Sequence, residues 1–158
     1  MLVTVMEPED AEAVRCIARL SGTKVDVAAE LGRSWGLPWV VRDAEGGEPI
    51  AFLVGWRAAD ELHVVDIATH PDHRRRGAAR TLLLELIAYG KAHDFRLVVL
   101  EVRASNGPAR SLYESLGFGV ARVRENYYAD AGEDGLEMLL VLDPETTDAS
   151  GGSQGMGP

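Results

Sequence analysis

Residues 96–102 (RLVVLEV) narrow the possible folds of this chain more than any other stretch. A nearly unbroken apolar run of strand length has no polar face to offer water, so it belongs in a sheet covered on both sides. Ahead of it, residues 81–93 (TLLLELIAYGKAH) set Leu82, Leu83, Leu86 and Ile87 at helical spacing. Ahead of that lies ELHVVDIAT, residues 61–69, another run of strand type. A crossover helix between two strands implies that they pair in parallel. The centre of the molecule is therefore expected to be α/β.

The flanks are of a different kind. Residues 2–6 read as a short strand, and Pro8 followed by Glu9, Asp10 and Glu12 opens a helix through about Leu20, with Ala11, Val14, Ile17 and Ala18 on one face. A second helix is expected over 25–35, closed near Gly36. PWVVRD and IAFLVGW, either side of the turn-rich AEGGEP, form a hairpin. After the apolar run, Asn106, Gly107 and Pro108 start a helix (ARSLYESL) that Gly117 stops. FGVARVR and LEMLLVL are expected as two final strands linked by a polar loop over 125–135. The expectation is a mixed central sheet of about seven strands, antiparallel in its N-terminal part and parallel at its centre, with helices on both faces.

A chain of 158 residues with 46% hydrophobic content suits one domain, assigned to 1–142. Residues 143–158 lose all apolar periodicity and are expected to be a disordered tail. No apolar run approaches the roughly 20 residues a bilayer requires, and the first ten residues lack the pattern of a signal peptide, so a cytoplasmic location is expected. The net charge of −9, from 25 acidic and 16 basic residues, argues against binding nucleic acid or an anionic membrane. Cys16 stands alone, and His63, His70, His73 and His93 have no helical zinc pairing, so no metal is expected.

Against that acidic background, Arg74, Arg75, Arg76 and Arg80 crowd around Gly77, Ala78 and Ala79 where a strand gives way to a helix. Unpaired N–H groups and the helix dipole favour an anion there. Gly77 lets the backbone approach it, and arginines add charge-assisted hydrogen bonds. No Lys-Ser/Thr pair follows the glycine, which disfavours a P-loop.

The form R-x-x-G-x-A over Arg74, Gly77 and Ala79 resembles the coenzyme A diphosphate signature of the GNAT acetyltransferases. LEVRASN (100–106), ARSLYESLGF (109–118) and RENYY (124–128) are similar to the narrower group of RimI-type ribosomal-protein alanine N-acetyltransferases. The resemblance runs over about residues 60–142. It implies the GNAT fold and acetyl transfer from acetyl-CoA to a primary amine, above all the N-terminal α-amine of a protein such as a ribosomal protein. It further implies Glu101 as general base, Tyr113 as general acid, and Arg74 to Arg76, Gly77, Ala78, Ala79 and Arg80 on the diphosphate. The backbone of Ile67, Ala68 and Thr69 would lie along the pantetheine arm, and Asn106 would touch acetyl-CoA. A carboxylate to take a proton from an ammonium and a phenol to return one to a thiolate suit this chemistry.

Position alone leaves other roles open. Glu101 also reads as an ion-pair partner for Arg103, Tyr113 as a core aromatic, and Asn106 as a helix N-cap. His70 and His73 flank the turn and read first as solvent-facing loop residues. Glu125, Asp130, Glu133 and Asp134 offer an acidic face for a basic acceptor, or a solvated loop. The group's Phe-Pro-Trp-Ser-like segment has no match in residues 21–36. Two alternatives accompany the main expectation: a small-molecule amine as acceptor, and a non-catalytic acetyl-CoA-binding module.

Overall fold

The computed structural model describes residues 1–143, so the expected tail lies outside the described residues apart from Asp143. The chain divides into two compact units, residues 1–58 with 63–86, and residues 59–62 with those from Ile87 onward. Its strands belong to a seven-stranded sheet, the number expected. Among the described residues no helix is long and apolar enough to cross a membrane.

The first unit holds β1 (Leu2–Val5), α1 (Ala11–Ser21), α2 (Val27–Leu31), β2 (Gly36–Arg42), β3 (Pro49–Ala58), most of β4 (Glu61–Thr69) and the first half of α3 (Ala78–Ala92). β2 runs antiparallel to both β1 and β3, with Trp39 opposite Val5 on one side and Leu53 on the other. The helical spacing of α1 turns Val14, Ile17 and Ala18 into a core with Met6, Val27, Val40, Phe52, Val54 and Ala68. Burying a side chain the size of Ile17 contributes about 1.5–3 kcal/mol. Pro8 opens a single turn, Pro8–Asp10, before α1 proper. Asp10 takes a hydrogen bond from the Glu7 N–H at 2.9 Å. Arg42 Nη2 reaches both Asp10 oxygens at 2.8 Å, which binds the end of β2 to the start of α1.

The second unit holds the rest of α3, then β5 (Leu97–Arg103), α4 (Gly107–Ser115), β6 (Gly119–Tyr128) and β7 (Glu133–Val141). β7 is hydrogen-bonded antiparallel to β5 on one side and β6 on the other. Leu97, Val98, Val99 and Leu100 are all buried, as their unbroken apolar character requires.

Two expectations are corrected. The helix over 25–35 shrinks to Val27–Leu31: Asp26 caps its start by accepting from the Ala29 N–H at 3.1 Å, and the chain joins β2 from Gly36. The loop expected over 125–135 is mostly strand, because β6 continues to Tyr128 and β7 starts at Glu133. β6 is exposed along nearly its whole length, so its polar residues sit in a ladder while reading as loop.

Candidate active site

The arginine-rich turn lies in the first unit. After β4, a single-turn helix at Pro71–His73 leads to Arg74 in extended conformation. Arg75 (φ +64°) and Gly77 (φ +84°) then both take left-handed backbone angles before α3 begins at Ala78. The Thr81 N–H donates to the Gly77 carbonyl at 2.9 Å, and its hydroxyl donates to the same oxygen at 2.7 Å. The N–H groups of Ala78 and Ala79 therefore precede the first intrahelical donor and point outward from the helix start. A side chain added at Gly77 would meet nothing within 4 Å, so the glycine leaves open space at the mouth of the turn. Arg74, Arg75, Arg76 and Arg80 are exposed. Arg76 is braced, with Nη2 on Asp43 at 2.8 Å and Nη1 beside His73 Nδ1 at 2.7 Å. The His70 imidazole accepts from the Asp72 N–H at 3.1 Å. Both histidines thus serve the turn's own conformation. Among the described residues no group of three or more histidines, cysteines or carboxylates is placed to hold a metal.

Ile67, Ala68 and Thr69 end β4; Ala68 is buried and its two neighbours are half-buried. The Ser21 hydroxyl donates to the Thr69 carbonyl at 3.3 Å. One residue earlier, burial pushes the Asp66 carboxyl above its usual range; Thr23 counteracts this and the Glu30 carboxylate reinforces it. Glu30 is itself buried and accepts from Trp56 Nε1 at 2.9 Å. A groove of about 860 Å³ follows the connection from α1 to α2, lined by Arg15, Arg19, Thr23, Lys24 and Asp26 among others. Its rim is mainly basic.

In the second unit Glu101 lies near the end of β5, directly opposite Glu137 of β7. Opposed like charges on neighbouring strands destabilise a sheet unless something neutralises them. β6 supplies the neutralising groups. A bulge between Val120 and Arg122 sets Arg122 opposite Glu137, and Arg124 follows opposite Gly135, so both arginines share the face of Glu101. Arg122 pairs with Glu137 at 3.5 Å. Arg124 reaches past β7 to Glu101, with Nη1 at 3.0 Å from Oε2. The expected partner, Arg103, pairs instead with Glu133 at 3.5 Å. The second oxygen of Glu101, Oε1, is buried and makes no hydrogen bond.

A second, wider irregularity between Arg124 and Tyr128 brings Asn126 to φ +54°, and its N–H donates to Asp134 Oδ1 at 2.8 Å. Tyr127 and Tyr128 stand edge to face, 5.1 Å apart. Arg124 stacks on the first at 4.5 Å and Arg103 on the second at 4.2 Å. A Cβ at Gly135 would lie 2.8 Å from Tyr127 Cδ2, so that ring occupies the space the glycine leaves. Burial, with Glu101 as the next cause, pushes the Tyr128 phenol up. Of the four acids expected as a docking face, Glu133 accepts from the Ser105 N–H at 2.7 Å, and Asp134 holds Asn126. Those two serve the loop itself, while Glu125 and Asp130 are exposed.

Tyr113 is 6% exposed on α4, its ring 5.9 Å from that of Phe118. Asn106 caps α4, accepting from the Ala109 N–H at 3.2 Å. The sequence alone gives no role to Arg124 within RENYY and none to Asp66. Strand alternation alone does not reveal either, because bulge and burial emerge only with the sheet.

A strand-to-helix turn with outward N–H groups and exposed guanidiniums, in an α/β protein, has the features that favour an anion. The sequence profile of the acetyltransferase (GNAT) family matches residues 9–118, and the chain belongs to that family. It is an N-acetyltransferase, and its fold is the one expected. Enzymes of this family use acetyl-CoA. The chain is 42% identical over 100 residues to the [ribosomal protein bS18]-alanine N-acetyltransferase of Escherichia coli K12, spanning 62% of this chain and 68% of that one. It is 46% identical over 82 residues to an N-alpha-acetyltransferase of Saccharolobus solfataricus, spanning 51% and 48%. The crystal structure of the ribosomal-protein-S18-alanine N-acetyltransferase from Escherichia coli superimposes with a TM-score of 0.81 at 31% identity, covering 93% of this chain and 97% of that one.

Proposed function

We propose that this enzyme moves the acetyl group of acetyl-CoA onto the N-terminal α-amine of a protein, of the ribosomal-protein alanine type. The likeness to the Escherichia coli enzyme along 93% of the chain carries this reading. The turn at Gly77 suits a diphosphate: it has open space, outward N–H groups and exposed guanidiniums. Arg74, Arg75, Arg76 and Arg80 supply the charge, and Gly77, Ala78 and Ala79 the backbone. The backbone of Ile67, Ala68 and Thr69 pairs with the pantetheine arm as an added strand would. Asn106 touches acetyl-CoA from the start of α4.

Glu101 takes a proton from the acceptor's ammonium through Oε1, directly or by way of water. The freed nitrogen bonds to the thioester carbonyl carbon, the C–S bond breaks, and the departing thiolate takes its proton from the Tyr113 hydroxyl, which regains one as the nitrogen gives up its second proton, by way of water, on becoming the amide. Tyr128 remains a neutral phenol across the working range, because its pKa is raised from a value of 10.0. The test incubates the protein with acetyl-CoA and a mixture of alanine N-terminal peptides, lysine peptides and small amines, with products read by mass spectrometry. Acetylated α-amines are expected; acetylated polyamines or amino sugars alone would replace the acceptor, and no product would leave a binding module. Glu101→Gln and Tyr113→Phe should each lower turnover by roughly 10²-fold while acetyl-CoA affinity, by calorimetry, stays within about twofold.

A further inference from the structure

We infer that Arg124 is the positioning residue of the base: it holds one oxygen of Glu101 so that the other is presented, unpartnered, to the acceptor amine. The inference rests on the reading of Glu101 as base and assigns a group that acts through it. Three observations carry it. Arg124 spans a whole intervening strand to reach Oε2 at 3.0 Å, and nearer partners for a surface arginine would cost less ordering. The oxygen it leaves, Oε1, is buried without a hydrogen bond, which a native carboxylate tolerates where a ligand supplies the missing donor. The local chain is shaped for the contact: the bulge before Arg122 turns the arginines onto this face, and the bare Gly135 admits the Tyr127 ring on which Arg124 stacks.

The charges facing Glu101 explain why a cation is needed. Glu137 lies opposite on β7, engaged by Arg122; Tyr127 and Tyr128 stand beyond Arg124, and Arg103 on β5 is engaged by Glu133. Without Arg124, no cation would hold Glu101, because Arg122 and Arg103 are engaged by Glu137 and Glu133, and its side chain would swing away. A guanidinium on one oxygen prevents this and leaves the second without a partner. An ordinary exposed ion pair, by contrast, contributes about 0–1 kcal/mol and directs nothing.

The test uses the full chain, acetyl-CoA and an alanine N-terminal peptide, with kcat and kcat/KM followed across the acid and neutral range. Arg124→Ala should lower kcat by about tenfold or more with the KM for acetyl-CoA unchanged. Arg124→Lys should recover part of kcat, because it restores the charge while an ammonium lacks the fork geometry. In a Glu101→Gln background Arg124→Ala should add almost nothing, since the two act as a unit. Thermal melting of each variant reports folding, and Arg124→Lys carries the test if the alanine variant is unstable. A superimposable profile for Arg124→Ala, with Glu101→Gln slow, would overturn the positioning role and leave the base standing. A fast Glu101→Gln enzyme would overturn the base, and the positioning role with it.

Discussion

Replacing Gly77 by alanine separates what the turn does for folding from what it does for its ligand. The residue sits at φ +84°, where an L side chain is strained, and that strain costs about 1–2 kcal/mol. Nothing lies within 4 Å of the new methyl group, so no steric penalty adds to it. The melting temperature should fall by roughly 2–6 °C. A methyl group at the mouth of the turn holds a diphosphate off the N–H groups, and losing one charge-assisted hydrogen bond costs about 1.5–3 kcal/mol. Acetyl-CoA affinity, by isothermal titration, should therefore weaken about ten- to a hundredfold. Gly132→Ala is the matched control, since that glycine also has a left-handed φ, +62°, and open space around it, but lies in the turn before β7. It should cost similar stability and leave the affinity alone. Equal affinity in both variants would refute the assignment of the turn to the diphosphate.

Gly135→Ala should displace Tyr127, whose Cδ2 lies 2.8 Å from the added carbon, and with it the ring on which Arg124 stacks, so kcat should fall several-fold while acetyl-CoA affinity holds, as steady-state kinetics and calorimetry would register. Arg42→Ala strands a buried Asp10 that is 5% exposed, and urea unfolding should show a loss of about 3 kcal/mol. The folded-state pKa of Asp66 is raised above 3.8, so its ionisation costs stability as pH rises through that folded value. Asp66→Asn should accordingly melt higher than the parent at neutral pH, with the gap closing as pH falls toward the unfolded value.

The parts of this structure that announced themselves in the sequence are those whose local pattern and tertiary environment agree. Leu97 to Leu100 are apolar because both faces are covered, and Leu82, Leu83 and Leu86 repeat at helical spacing because one face of α3 is buried. Asn106 behaves at α4 as its residue type requires. The arginines and Gly77 fall at a strand-to-helix turn because that local order is written in adjacent residues. Failures came where long-range pairing overrides composition. Residues 32–36 looked like the end of a helix, yet the Trp35 carbonyl accepts from the Arg57 N–H at 2.8 Å and draws the segment toward the sheet. Simple alternation would put Val120, Arg122 and Arg124 on one side of β6, but the bulge sends Val120 to the side of Val123. Glu101 was legible as a carboxylate near a strand end. Its partner was not, because Arg124 lies two strands away in the sheet and 23 residues on in the chain.

Glu101, Glu133 and Glu137 are matched on their sheet face by Arg124, Arg103 and Arg122. In a chain with a formal charge of −9, this patch is electrically balanced and contributes little to the far field. Ionic strength, which screens beyond about 8 Å in physiological salt, should thus govern how fast a cationic peptide arrives and scarcely touch the proton transfer once it has docked.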